Sequence, residues 1–302
     1  MTTMEEGAAA GLTCLVTGAT SGIGGIGGIG ETLTTVLAAR GARVLAVART
    51  AERGTAERGA AALTRIRRRV PDAQVEMLVA DLSVLTHVVD LAGQVIARAG
   101  RLDVAILNAG VARPRRELTP DGFETDFATN HLSPFLLIQR LQDLLCASAP
   151  ARIVTVSSSA HRHVKNIDLD DLATVRNFQH MRTYSATKLL TVLFTTELGR
   201  RLAGSGVSVN AADPGFVRSA LGRDATGGFG LFLKIMRPFQ RTPTRGAATP
   251  LYLATSPEVA GASGGYFANN RPAKTSPLAQ DQATAQRAWD FSNELLTRKA
   301  PR

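Results

Sequence analysis

The sequence predicts an α/β protein: a doubly wound parallel sheet with helices on both faces, in a single domain. Three observations lead there. Short apolar runs alternate with helix-period patterns. The apolar runs are nearly continuous, as strands covered on both faces are. Polar or glycine residues recur directly after each run. The chain has 302 residues, 44% apolar and 20% charged, which suits one large globular domain.

The elements follow in order. "LTCLVT" (12–17), "ARVLAVA" (42–48), "AQVEMLVA" (73–80), "LDVAILNA" (102–109), "ARIVTVS" (151–157) and "GVSVNAA" (206–212) read as strands. Helical patterns lie between them at 31–40, 52–69, 84–99, 121–147 and 183–203. Such folds bind ligands at the carboxyl ends of their strands, near the point where the strand order reverses. Those ends carry Thr17–Gly18, Arg49, Asp81, Asn108–Ala109–Gly110, Ser157–Ser158–Ser159 and Asp213–Pro214–Gly215. A turn explains any one of these; six at one sheet edge indicate a site. From Ser219 to Thr242 the alternation breaks, and the segment is glycine-rich, then apolar ("GLFLKIM"), then basic. Loops of that length in compact domains are usually functional or disordered, and this one is expected to be a lid over a substrate pocket.

Composition excludes several classes. No run of 18 apolar residues predicts a spanning helix, and the N-terminus lacks a basic-then-apolar leader. Two cysteines, Cys14 and Cys146, cannot make a disulfide framework, so both are expected to pack in a reducing, cytoplasmic setting. The net charge of +10 favours anionic partners, a phosphate-bearing cofactor among them. Nucleic acid is not expected, since zinc spacing and an aromatic RNP stretch are both missing. The histidines His131, His163 and His161 have no carboxylate or cysteine set at ligand spacing, so no metal is predicted; His161 is expected to line the pocket entrance.

"YSATK" places Tyr184 and Lys188 one helical turn apart on a shared face. An ammonium beside a phenol lowers the tyrosine pKa, making it usable as an acid or base near neutrality. With that pair the chain resembles a family, the short-chain dehydrogenases/reductases. "TGATSGIG", "NAG" (108–110), "TNHLSPF" (129–135), "VSSSAH" (156–161), "YSATK" and "DPGFVRS" (213–219) occur in the family's order. The retinol-dehydrogenase-like branch is most similar, judged by "ATNHLSPFLL", the 26 positions from Ser158 to Tyr184 and the ending "SGGYFANNRPAKTSPLAQ".

The resemblance implies a Rossmann-type fold and a role for each residue. Tyr184 would exchange a proton with the substrate oxygen, and Ser158, rather than Ser157 or Ser159, would hydrogen-bond the same oxygen. Lys188 would hold the nicotinamide ribose, and Asn130 a relay water. Gly18, Ser21, Gly22, Ile23 and Gly24 would face the pyrophosphate. Asp81 and Leu82 would meet the adenine, with Asn108, Ala109 and Gly110 beside the cofactor. Pro214, Gly215, Val217 and Ser219 would edge the carboxamide, although Asp213 stands where the family usually has asparagine or histidine. The 121–147 and 183–203 helices would offer a homodimer face. Strand two ends in Arg49 with no acid, which favours a 2′-phosphate and therefore NADP(H), with Arg53 assisting.

Two tandem repeats border that site. Gly-Ile-Gly occurs three times over Gly22–Gly30, a surplus of six residues, and "TAERG" (50–54) is repeated at 55–59. Ile26 and Ile29 extend the stripe of Leu33, Val36 and Leu37, so the last copy is placed to start the helix. Six residues added as helix would lengthen it by roughly 9 Å, and interior glycines cost about 1 kcal/mol each. A longer, flexible loop is therefore expected, with Gly18, Gly22 and Gly24 on the pyrophosphate and the surplus looping out. The alternative is that the surplus fills the pyrophosphate space and weakens binding.

The function so read is hydride transfer between NADP(H) and an alcohol/carbonyl pair of an apolar small molecule, as a ketoreductase. The rivals are a non-catalytic, dinucleotide-binding regulatory protein and an enzyme in peripheral contact with a membrane through "GLFLKIMRPF".

Overall fold

The computed structural model describes residues 8–20, 22–23, 26–49, 55–174, 176, 178–217 and 240–300. The strands are β1 (Thr13–Thr17), β2 (Gly22–Ile23), β3 (Ile26–Gly27), β4 (Arg43–Ala48), β5 (Val75–Val79), β6 (Val104–Leu107), β7 (Ala151–Val156), β8 (Val207–Asp213), β9 (Tyr266–Ala268) and β10 (Arg271–Pro272). The helices are α1 (Ile29–Ala39), α2 (Thr55–Arg69), α3 (Leu85–Ala99), α4 (Thr125–Phe127), α5 (Ser133–Ala147), α6 (Leu169–Thr174), α7 (His180–Arg201), α8 (Pro243–Thr255), α9 (Pro277–Gln280) and α10 (Gln282–Lys299).

Eight strands form one sheet in the order β10-β9-β8-β7-β6-β1-β4-β5. Every pairing is parallel except that of β10 with β9. The strand order reverses at β1, which pairs with β4 on one side and β6 on the other. A crevice therefore opens between the carboxyl ends of β1 and β6.

The apolar runs are continuous because both faces are covered, yet each strand still alternates. Cys14 and Val16 join the core under α1 and α8, while Leu15 points into the core under α3, α5 and α7. Helix α7 is buried nearly all round, with the sheet on one side and α10 on the other. Trp289 of α10 lies 4.6 Å from Phe135 of α5 and stacks on Phe194 of α7 at 6.0 Å, ring centroid to ring centroid. The Arg201 guanidinium covers that indole at 4.4 Å, and His131 Nε2 meets Ser292 Oγ at 2.7 Å. Helix α10 thus packs over the surface of α5 and α7 on which the family resemblance implies a dimer contact.

Three local features refine the sequence reading. The predicted 121–147 helix starts at Thr125 and passes through one turn of π-helix, Ala128–Leu132, before α5. The basic run 65–69 has structural tasks: Arg65 grips the buried Glu31 with two hydrogen bonds, at 3.0 and 2.6 Å, and Arg67, Arg68 and Arg69 occupy the last turn of α2, where the helix dipole favours cations. Cys14 is buried, which pushes its thiol up to about 12, and Cys146 is half-buried. Most of the expected lid, and the first TAERG copy, lie outside the described residues. Thr242, the expected end of the lid, caps α8 by accepting the Arg245 N–H.

Because Trp289 fills the seam between α5 and α7, Trp289→Ala should lower stability by about 3–5 kcal/mol. A urea-unfolding midpoint within error of wild type would contradict that packing role.

Candidate active site

The crevice is built from backbone brought unusually close. Thr17 Oγ1, at the end of β1, accepts the N–H groups of Asn108 and Ala109, each at 3.0 Å. Asn108 Nδ2 donates to Thr17 O at 2.8 Å. Gly18 has φ +69°, and a Cβ there would stand 2.9 Å from Ala109 Cα. A Cβ on Gly30 would run into the Gly18 carbonyl oxygen and stand 2.7 Å from Asn108 Nδ2. The start of α1 can meet β1 and β6 only because residues 18 and 30 have no side chain.

Gly30 belongs to the third Gly-Ile-Gly copy, and this changes the reading of the repeat. Gly22–Ile23 pairs antiparallel with Ile26–Gly27, so the surplus forms a two-rung hairpin between Gly18 and α1. Gly28 is the N-cap of α1 and offers no capping side chain, which leaves first-turn N–H groups for an anion. Ile29 packs on the core beside Gly246 and anchors this register. The sequence reading let the surplus follow Gly24; in the structure it precedes Gly28, because the apolar stripe of α1 extends back to Ile29 and the close approach requires Gly30. Ser21 and Gly24 lie outside the described residues, and for Gly22 and Ile23 the backbone alone is described.

The remaining strand ends line the same edge. Arg49 is exposed after β4. Asp81 Oδ1 accepts the Ser83 N–H at 2.9 Å and its hydroxyl at 2.7 Å. Leu82 buries its side chain in the core. Gly110 lies where a Cβ would stand 3.4 Å from Lys188 Nζ and 3.5 Å from Asn130 Oδ1. After β8, Pro214 is buried, Gly215 N–H donates to Asp213 Oδ1 at 2.8 Å, and Val217 forms an isolated bridge with Arg241. Ser219 lies outside the described residues. A bare-backbone crevice with a helix N-terminus at its mouth fits a dinucleotide.

The chemistry-bearing side chains meet where β6, β7 and α7 converge. Lys188 is buried and donates from Nζ to Val156 O at 2.9 Å. Its ammonium lies 5.7 Å from the centre of the Tyr184 ring. The π-turn holds Asn130, whose Oδ1 accepts the Val111 N–H at 2.8 Å. Asn130 Nδ2 donates to Val111 O at 2.8 Å and to Thr187 Oγ1 at 3.0 Å. Beside Asn130 is a cavity of about 10 Å³, room for one water.

The three consecutive serines separate cleanly. Ser157 is buried and commits its hydroxyl to Lys188 O at 3.0 Å, whereas Ser159 is exposed. Ser158 is half-buried, accepts the Ala160 N–H at 3.2 Å and lies close enough to Tyr184 to lower its phenol's pKa.

The electrostatics differ from the simple helix-spacing argument. Burial pushes the Tyr184 phenol above its ordinary value, and the hydrogen bond from Ser158 opposes that shift, while Asp126 and Asp213 add to it. Lys188 is turned toward the Val156 carbonyl, so at this distance desolvation outweighs its pull on the phenol. Burial lowers the lysine itself to about 8, opposed by Asp126 and Asp213. Asp126 is fully buried and accepts the Arg113 N–H at 3.0 Å; burial, with Glu124 nearby, raises it to about 8.

Exposed apolar side chains occur beyond the strand ends. Leu118, Met181 and Phe216 are each more than 40% exposed, and they belong to the three segments that follow β6, β7 and β8. His161 is not at the rim as expected: it is fully buried behind Ser158, with Nδ1 2.7 Å from Ser158 O. His131 is a core residue between Phe127 and Phe135, and burial lowers it to about 3. Among the described residues no group of histidine, cysteine and carboxylate side chains is placed to hold a metal. Sequence reasoning named Thr17 only as a strand end and passed over Thr187 and Tyr266; each works through a hydrogen bond to a distant segment that no local pattern reveals.

The model of the short chain dehydrogenase family matches residues 13–227. Human retinol dehydrogenase 14 is 38% identical over 97% of this chain and 88% of its own length. The WW domain-containing oxidoreductase of Pongo abelii is 36% identical over 95% of this chain and 68% of its own length. A solved structure of an uncharacterized Mycobacterium paratuberculosis protein is 31% identical, with TM-score 0.75, covering 97% of this chain and 96% of that one. A Beutenbergia cavernae structure, described as a NAD(P) dependent gluconate 5-dehydrogenase with bound NADP at low occupancy, is 26% identical with TM-score 0.66, covering 86% of this chain and 95% of that one. The chain belongs to the short-chain dehydrogenase/reductase family of oxidoreductases.

Gly30→Ala should lower stability by about 1–3 kcal/mol and weaken NADPH binding by tenfold or more, because Cβ meets backbone that cannot yield. Gly93→Ala, where a Cβ on exposed α3 meets nothing within 4 Å, should gain up to about 1 kcal/mol. Equal behaviour of the two variants in thermal unfolding and NADPH titration would refute the close-approach role. Deleting any six consecutive residues of Gly22–Gly30 yields one and the same sequence, so a single variant tests the hairpin. NADPH affinity within about threefold of wild type is the expected result; a large tightening would mean that the hairpin obstructs the crevice.

Proposed function

We propose that this oxidoreductase transfers hydride between NADP(H) and the alcohol/carbonyl group of an apolar small molecule, working as a reductase. The observation that carries the reading is the gathering of Ser158, Tyr184 and the buried Lys188, with Asn130, at the strand ends beside the glycine-lined crevice. The cofactor, when bound, supplies or accepts the hydride; the chain handles the proton and the geometry. Tyr184 gives its phenolic proton to the carbonyl oxygen, and Ser158 hydrogen-bonds the same oxygen so that it stays within reach. Lys188, one helical turn from Tyr184, is the group placed to replace that proton. A lysine held to about 8 by burial can exchange a proton near neutrality, which suits such a relay.

Arg49 at the end of β4, with no acidic residue in that position, supports a 2′-phosphorylated cofactor. Gly18, Gly28, Gly30, Asp81, Leu82, Asn108, Ala109, Gly110, Pro214, Gly215 and Val217 are the residues placed to hold it. Exposed Leu118, Met181 and Phe216 support an apolar substrate, as do relatives named retinol dehydrogenases. The four side chains gather at one end of the sheet, with Lys188 Nζ 5.7 Å from the Tyr184 ring and Asn130 beside Gly110, which favours turnover over a purely regulatory role. Packing of α10 across α5 and α7 supports a monomer over a dimer built on that face. The two free thiols support a cytoplasmic setting. Among the described residues no helix is long and apolar enough to cross a membrane.

Tyr184→Phe should cut NADPH-dependent reduction of apolar ketones and aldehydes by about 10²–10⁴-fold while NADPH binding stays within twofold. Wild-type protein should prefer NADPH to NADH, and Arg49→Ala should erase much of that preference. Near-full activity of the phenylalanine variant, or an NADH preference in wild type, would overturn the corresponding part of the reading.

A further inference from the structure

Behind Ser158 and Tyr184 lies a buried polar bridge that the reaction as described does not use. His161 ends up there because the chain turns through one 3-10 segment, Ser159–His163, directly after Ser158. Its ring has no solvent exposure. Its Nδ1 stands 2.7 Å from Ser158 O, and its Nε2 receives the Ser276 backbone N–H at 3.3 Å. A backbone N–H can only donate, so Nε2 carries no hydrogen, and the ring hydrogen sits on Nδ1, pointing at the Ser158 carbonyl. Burial lowers the histidine pKa and keeps this ring neutral.

The bridge continues across the ring. Tyr266, the first residue of β9, meets His161 edge to face with centroids 4.9 Å apart. Its hydroxyl donates to Asp213 Oδ2 at 2.6 Å, and the other oxygen of that carboxylate accepts Gly215 N–H at 2.8 Å. Tyr266, Ser276 and Asp213 are all less than 10% exposed. The substrate-side loop after β7 and the cofactor-side loop after β8 are therefore joined from behind by groups whose hydrogen-bonding capacity is spent on each other. Asp213 thus supplies the acceptor for Tyr266.

We infer that His161 and Tyr266 are positioning residues: His161 fixes Ser158 through its carbonyl, Tyr266 fixes the Pro214–Gly215 loop through Asp213, and together they hold the substrate oxygen and the cofactor at a set separation. The inference rests on the hydride-transfer reading above. A shift of about 1 Å at a reacting centre can cost two orders of magnitude in rate, so a rigid tie between the two loops has a kinetic consequence.

The test uses full-length protein, NADPH, and all-trans-retinaldehyde or acetophenone as the carbonyl probe. His161→Phe should lower kcat by 10- to 100-fold with KM and the NADPH Kd within about threefold of wild type. His161→Asn, whose amide reaches the Ser158 carbonyl as Nδ1 does, should recover most of the loss; His161→Gln, which extends toward Ser276 instead, should not. Tyr266→Phe should weaken NADPH binding several-fold. If His161→Phe does not fold, the asparagine and glutamine variants carry the comparison. Equal activity of those two, or a loss seen in KM alone, overturns the role. Independently, nitrogen-15 NMR of labelled histidine should show the His161 ring neutral and protonated on Nδ1 from pH 6 to 8; an Nε2–H ring or a midpoint near 6.5 overturns the bridge. Wild-type protein inert toward every carbonyl probe would overturn the hydride-transfer reading and the positioning role with it, while the ring tautomer would still show whether the bridge is built as described.

Discussion

The fold's capacity to bind and react depends on one steric constraint: the approach of α1 to the ends of β1 and β6. Gly30 lies against the Gly18 carbonyl, and Gly18 against Ala109, at distances that exclude any Cβ. Thr17 and Asn108 then lock the two strand ends with hydrogen bonds that would otherwise be unmet in a buried setting. Because β1 is the strand where the sheet order reverses, this contact defines the crevice floor. The position of every other strand-end residue is measured from it through the sheet register.

That constraint explains how the chain accommodates a six-residue surplus next to its most crowded point. A parallel sheet resists insertion within its strands, since a slip of one residue exchanges the faces of every side chain. A glycine turn does not, provided a bare residue still meets β1. With three identical copies, the last one starts the helix and the earlier ones pair with each other. Ile29 resolves the degeneracy, because its side chain has a core place beside Gly246.

The reactive centre is governed by burial more than by pairwise charge. Tyr184, Lys188 and Asp126 all shift in the direction that desolvation dictates; Ser158 trims the tyrosine shift, whereas Asp126 and Asp213 add to it and trim that of the lysine. The buried His161 and Tyr266 fit the same economy, since they hold loops in place without adding net charge near the phenol.

Six apolar runs and five helical patterns, with the residues at their ends, were legible in the sequence because strand and helix periods are local properties. Tyr184 and Lys188 were legible for the same reason: their spacing is a helical turn. The family resemblance singled out Ser158; in the structure Ser157 bonds Lys188 O and Ser159 is exposed. Strand β9 was not legible, being three residues between glycine and asparagine with no period to read. The copy of Gly-Ile-Gly that meets β1, the burial of His161, the Tyr266–Asp213 contact and the covering of α7 by α10 were decided by tertiary structure alone. Each joins segments far apart in the chain, and the sequence carries the groups but not the distances between them.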